Sequence, residues 1–216
     1  MLAVPLSASA HVRITPITAA AGADDTLLTF AVPNESDSAF TTRVQVDLPT
    51  ATPFGEVDYD PVPGWTAEVT TARLPKPAKI DGATVTEAPV RIVWTAARGT
   101  RLKEGQVQLF TVSVGPMPDT GRVVLPATQT YSDGSVEHWN EPTPATGEEP
   151  EHPAPTVYIR DAVPEADPQP GGVTVSATGG TPLLPIALSG GALLVGLAAL
   201  IFAIAALLRV RRSSRP

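Results

Sequence analysis

Three observations predict an all-β chain, folded as an antiparallel β-sandwich of the immunoglobulin or cupredoxin-like kind, with one transmembrane α-helix near the C-terminus. Between His11 and Asp161 short segments alternate apolar and polar residues with period 2. Pro, Gly, Asn and Asp punctuate those segments, and nothing before Leu183 sustains a helical period. Seven or more such strands in about 150 residues are enough to close one sandwich around its own core.

Taken in order, the predicted strands are Thr26 to Val32, Thr41 to Leu48, Trp65 to Thr71, Val90 to Thr95, Gln106 to Val114, Arg122 to Tyr131 and Thr156 to Arg160. Each is rich in β-branched or aromatic residues, which suit a half-buried pleated surface. Trp65 and Trp94 fall in strand patterns and are assigned to the core. Turns are expected at Pro33-Asn34-Glu35-Ser36-Asp37, at Pro61-Val62-Pro63-Gly64 and at Ser132-Asp133-Gly134-Ser135. Pro142 to Pro170 is rich in proline and acids. Its first portion, up to Ile159, is expected along the domain edge and into a last strand, and residues 162–182 are expected to form a flexible stalk.

Residues 183–208 carry no charge and are rich in Leu, Ala, Ile, Val and Gly. About 20 such residues span a hydrocarbon core as a helix, so this segment is long enough to cross with some tilt. Arg209, Arg211, Arg212 and Arg215 follow at once. Arginines there place the C-terminus in the cytoplasm and residues before Leu183 outside, as a single-pass protein of the cell membrane. At the other end, Met1 to Ala10 closes on Ala8-Ser9-Ala10, the small-x-small pattern of a signal-peptidase site, without a basic n-region. Residues 1–10 are therefore read as the last part of a longer signal peptide, with 11–161 as the sandwich and 209–216 as a cytoplasmic basic tail. Cleavage after Ala10 makes His11 the first residue of the mature chain.

Charge restricts the function. All 22 acids and 11 of the 15 basic residues precede the stalk's end, whereas the last eight residues carry four arginines. An acidic body argues against a nucleic-acid binder, which needs a basic stripe on its folded domain. The absence of Cys excludes disulfide frameworks, thiolate zinc sites, blue-copper cysteine sites and thiol catalysis. No HExxH, GxSxG or P-loop occurs, and no pair of carboxylates is assigned acid and base roles by spacing, so no enzyme activity is expected.

Of the three histidines, His11, His138 and His152, the first has distinctive chemistry. A histidine at a free amino terminus offers its amine and its ring Nδ1 to one ion. Cu(II) prefers tetragonal nitrogen and oxygen donors and leads the divalent affinity series, so it is the metal such a pair selects. The amine's ordinary pKa near 8 lets a metal displace its proton at neutral pH.

The order of short motifs adds a resemblance. HVRITP at the mature start, AVPNESDS, PVPGW, VRIVWTA, LFTVSVGPMPD and QTYSDGSVEHWNEP resemble the YcnI-like copper-binding family of bacterial extracytoplasmic proteins over about His11 to Ile159. The resemblance implies a membrane-anchored sandwich that holds one Cu(II) through the amine and Nδ1 of its first histidine, here His11, with a tryptophan close by, here Trp139. It also implies a role in copper homeostasis, storage or delivery, with a copper chaperone or transporter as partner.

The chain departs from the family at Gly105-Gln106-Val107-Gln108, where relatives carry acidic residues. If the family's carboxylate ligand comes from that strand, Gln106 stands in its place here, with Glu104 two residues earlier. Glu137 and His138 beside Trp139 offer replacements, and strand alternation puts Glu137 and Trp139 on one face and His138 on the other. Glu137 is the preferred replacement, His138 an option if the strand ends there, and solvent exposure of both the plain alternative. His152, among acids and prolines, is read as solvated or as an auxiliary ligand. Two other functions stay open: a metal-free adhesion or structural module of the envelope, and a copper redox enzyme, which needs a second imidazole from His138 or His152.

Overall fold

A computed structural model of the chain describes residues 11–34, 36–146 and 149–164. The chain divides into two units, residues 1–169 and 170–216, and all described residues lie in the first. The predicted signal segment, most of the stalk, the membrane segment 183–208 and the basic tail fall outside the described residues. Among those described, no helix is long and apolar enough to cross a membrane.

Eleven strands form: β1 (Arg13–Thr15), β2 (Thr26–Pro33), β3 (Thr41–Asp47), β4 (Glu56–Tyr59), β5 (Trp65–Ile80), β6 (Ala83–Ala96), β7 (Val107–Gly115), β8 (Arg122–Val124), β9 (Ala127–Tyr131), β10 (Val136–Trp139) and β11 (Thr156–Tyr158). A four-stranded sheet runs β1-β2-β7-β4, a five-stranded sheet runs β10-β9-β3-β6-β5, and β11 pairs with β8. All these pairings are antiparallel.

The core forms where the alternating apolar faces of the two larger sheets meet. Leu28, Phe30 and Val32 of β2 and Phe110, Val112 and Val114 of β7 pack in one cluster with Val44, Val46, Ile92 and Trp94 of the other sheet. Aromatic rings cross the gap: Trp94 lies 4.8 Å from Phe110 and 6.2 Å from Phe30, and Trp65 meets Phe110 edge-on at 5.0 Å. Both tryptophans expected in the core are there.

The structure corrects three element boundaries. The single strand predicted over Arg122 to Tyr131 is two strands, because Pro126 lacks an N–H to continue the ladder. Across Leu125-Pro126 the chain changes partner, from β11 on one side to β3 and β10 on the other. The strands at Trp65 and Val90 extend into a long hairpin closed by Asp81 and Gly82, both at positive φ, as a two-residue turn with the strand twist requires. β5 keeps Pro75 and Pro77 because it is an edge strand, where a missing donor faces no partner. β1 and β4 escape a period-2 reading because they are only three and four residues long.

The β9–β10 hairpin positions Trp139. Its loop, Ser132 to Ser135, is closed by Tyr131 N to Ser135 O at 2.9 Å, with Gly134 at φ 88. Asp133 Oδ1 accepts from the Ser135 hydroxyl at 2.7 Å and from the Ser135 amide at 2.9 Å. These bonds, the hydroxyl one first, hold the Asp133 carboxyl below its ordinary 3.8. A lowered folded-state value stabilises the turn above the ordinary pKa, and that contribution is lost as the pH falls through the lowered value. A carbon-detected NMR titration is expected to show Asp133 titrating below 3.8; a midpoint at or above that value would refute the turn geometry.

Candidate metal site

The site lies where the edges of the two large sheets come together. β1 is the outermost strand of one sheet and β10 of the other. Open sheet edges need cover, and here the chain after β10 supplies some of it. Glu141 N donates to His152 O at 3.0 Å and Ala154 N to Glu141 O at 2.8 Å. Further on, Tyr158 N donates to Ile17 O at 2.8 Å and Ala19 N to Tyr158 O at 3.1 Å, which lays β11 beside the chain that follows β1. The described part of the proline-rich segment before Ile159 thus runs along the domain edge into a last strand, as its composition suggested, with Pro153, Ala154 and Pro155 buried.

Trp139 is the floor of the site, with only 1% of its surface exposed. The His11 ring packs against the indole at 5.9 Å between centroids, and the His152 ring at 5.2 Å. Each imidazole has its own carboxylate. His11 Nδ1 lies 3.4 Å from Glu149 Oε1, and His152 Nε2 lies 3.3 Å from Glu137 Oε2. The His11 side chain is nearly covered, at 11% exposure, whereas the Glu149 side chain is 59% exposed.

Below the indole runs a buried polar relay. Trp139 Nε1 donates to Gln129 Oε1 at 3.3 Å, and Gln129 Nε2 donates to Pro33 O at 2.8 Å and to Thr41 Oγ1 at 2.7 Å. Thr41 Oγ1 donates in turn to Asn34 Oδ1 at 2.9 Å. An indole N–H can only donate and a proline carbonyl can only accept, so the orientation of the Gln129 amide is fixed from both ends. Gln129 and Thr41 have no exposed surface, so the relay holds the Trp139 ring in register from inside the core.

Of the residues singled out by sequence, His11, Glu137, Trp139 and His152 are brought together. His138 is not. The strand runs on through Trp139, alternation holds, and His138 points outward with Nδ1 3.3 Å from Thr128 Oγ1. Gln106 is not brought to His11 either. It is exposed in the turn before β7, where its side-chain Oε1 accepts from Lys103 N at 2.9 Å. Its main-chain oxygen, which accepts from Asn34 N at 3.1 Å, borders the relay. Sequence reasoning missed Glu149 and Gln129. For Gln129 a signal existed: it occupies an inward phase of β9, between Ala127 and Tyr131, where an apolar residue is the norm.

The donor set suits a small ion that takes nitrogen and oxygen. Among the described residues no three His, Asp or Glu side chains converge as a metal-binding group. A terminal histidine does not require that, since amine and Nδ1 come from one residue, and here that Nδ1 faces a carboxylate. A histidine with a free amine would, in this setting, offer the mixture of nitrogen and oxygen donors that Cu(II) takes.

The chain is similar to the crystal structure of an uncharacterized protein from Nocardia farcinica described as having an immunoglobulin-like fold. The two share 41% identity with a TM-score of 0.55, over 69% of this chain and 97% of that one. No functionally curated protein matches. The model of the family described as Domain of unknown function (DUF1775), which includes the YcnI-type domains, matches residues 11–159, from the site histidine to the end of the last strand. The chain is a member of that family.

Proposed function

We propose that the protein is a copper-binding protein of the cell envelope, which holds one Cu(II) through the amine and Nδ1 of His11 once the chain is cut after Ala10. One observation carries this reading. The residue that such cleavage would make the first is a histidine with a nearly buried ring, seated on Trp139 and turning its Nδ1 toward a carboxylate. A surface histidine without a task has no need of that cover. Trp139 then walls off one side of the ion, and a hydrophobic wall tunes solvent access and redox behaviour. The uncharged segment 183–208 and the arginines behind it would tether the sandwich outside the membrane. A role in copper homeostasis, storage or delivery follows, with a copper chaperone or transporter as partner. We read the protein as a carrier of the ion rather than an enzyme.

The test compares the chain beginning at His11 with the same chain carrying one extra Ala in front, each titrated with Cu(II) under EPR detection. Joining two donors on one residue raises affinity by about 10²–10⁴ over single attachment, so the extra Ala is expected to weaken binding by about 10²-fold or more. Equal affinity in the two forms would remove His11 as a chelating terminus.

A further inference from the structure

Resting on the copper reading above, we propose that Glu149 supplies the carboxylate ligand to the ion held by His11, and that the proline-rich strap from Glu149 to Pro155 is the second wall of the site. The ring nitrogen that a chelate with the terminal amine uses is Nδ1, and the carboxylate facing that atom belongs to Glu149, at 3.4 Å.

The rival donors are engaged elsewhere. Glu137 lies on the same strand face as Trp139, but its Oε2 is turned to His152 Nε2 at 3.3 Å. Glu141 Oε2 accepts from the His152 main-chain N at 2.7 Å and so anchors the strap. The Gln106 side chain closes its own turn. Among these described residues Glu149 has both the position and the freedom: it faces the ring nitrogen, and its side chain is more than half exposed.

The strap is built to present it. Pro150, Pro153 and Pro155 restrict the backbone, the main-chain bonds between Glu141, His152 and Ala154 pin its middle, and the His152 ring seats it on Trp139. A carboxylate oxygen beside two nitrogens is also the donor mixture that Cu(II) favours.

The experiment uses the chain beginning at His11, with Glu149→Gln and Glu137→Gln made singly. Copper affinity is read by competition with a chelator of known strength, and the Cu(II) EPR spectrum by its hyperfine splitting. Partners outside the ligand shell already change metal affinity by about 10–100-fold, so removing a ligand is expected to weaken binding at least about tenfold and to move the splitting. Glu137→Gln, which removes a partner of His152, is expected to move the splitting less than Glu149→Gln does. A wild-type spectrum and affinity in Glu149→Gln would overturn the assignment while leaving the His11 reading standing; the loss appearing instead in Glu137→Gln would transfer the role to that residue. If the unmutated chain does not prefer its free His11 terminus, both readings fall together. Glu149 is exposed, so unfolding curves of the variant are expected to match the unmutated chain, which separates loss of a ligand from loss of fold.

Discussion

Trp139→Ala is expected to lower the stability of the sandwich by about 3–5 kcal/mol, the range for truncating a large buried aromatic side chain. The ring is almost wholly buried and belongs to the main core cluster, yet it sits on the edge strand β10. Its loss therefore opens a cavity at the seam between the sheets. It also leaves Gln129 Oε1 without its donor and removes the surface on which both His11 and His152 rest. For a domain of this size the midpoint of thermal unfolding should fall by about 10 °C or more. Urea or thermal unfolding of the apo protein measures it. A loss below about 1 kcal/mol would show that the indole is not packed as described.

The second large effect is placed at Gln129. Replacing it with Leu keeps the bulk but strands the Trp139 N–H, the Pro33 carbonyl and one side of the Thr41 hydroxyl in the core. Each buried polar group left without a partner costs about 1–3 kcal/mol, and the three are not additive, so a loss of about 3–5 kcal/mol is expected. On the proposed copper reading a functional consequence accompanies it: the indole loses its anchor, and the EPR spectrum of added Cu(II) should broaden as the ring takes up more than one position. Combining Gln129→Leu with Trp139→Phe isolates the indole bond, since Phe has already removed the donor. The double variant should then lose about 0.5–3 kcal/mol less than the two single changes together. Strict additivity would mean that the hydrogen bond is not made.

Much of the fold was legible because strand alternation is local information. Leu28, Phe30 and Val32 declare their shared face within one strand, and the pairing of Glu137 with Trp139 against His138 follows from the same period. The failures had local causes as well. Three- and four-residue strands such as β1 and β4 are too short to show a period, and the prolines of β5 disguise an edge strand. The Asp81-Gly82 hairpin signal was present but lay outside the alternating runs used to place the strands.

The candidate site divides along the same line. His11 is marked by what precedes it, and Trp139 and Glu137 by their motif and phase, so these are properties of neighbouring residues. Which carboxylate meets His11 is a property of the closed sandwich: Glu149 comes from an irregular, proline-rich segment at the far end of the domain, where no periodicity states which way a side chain points. Local pattern alone was enough to set an all-β domain. The closed fold set the rest: Glu149 faces His11, His152 rather than His138 shares Trp139, and Gln129 holds the ring. The physical reason is that these contacts depend on how two sheet edges and a strap come together, and long-range packing of that kind leaves no trace in local alternation.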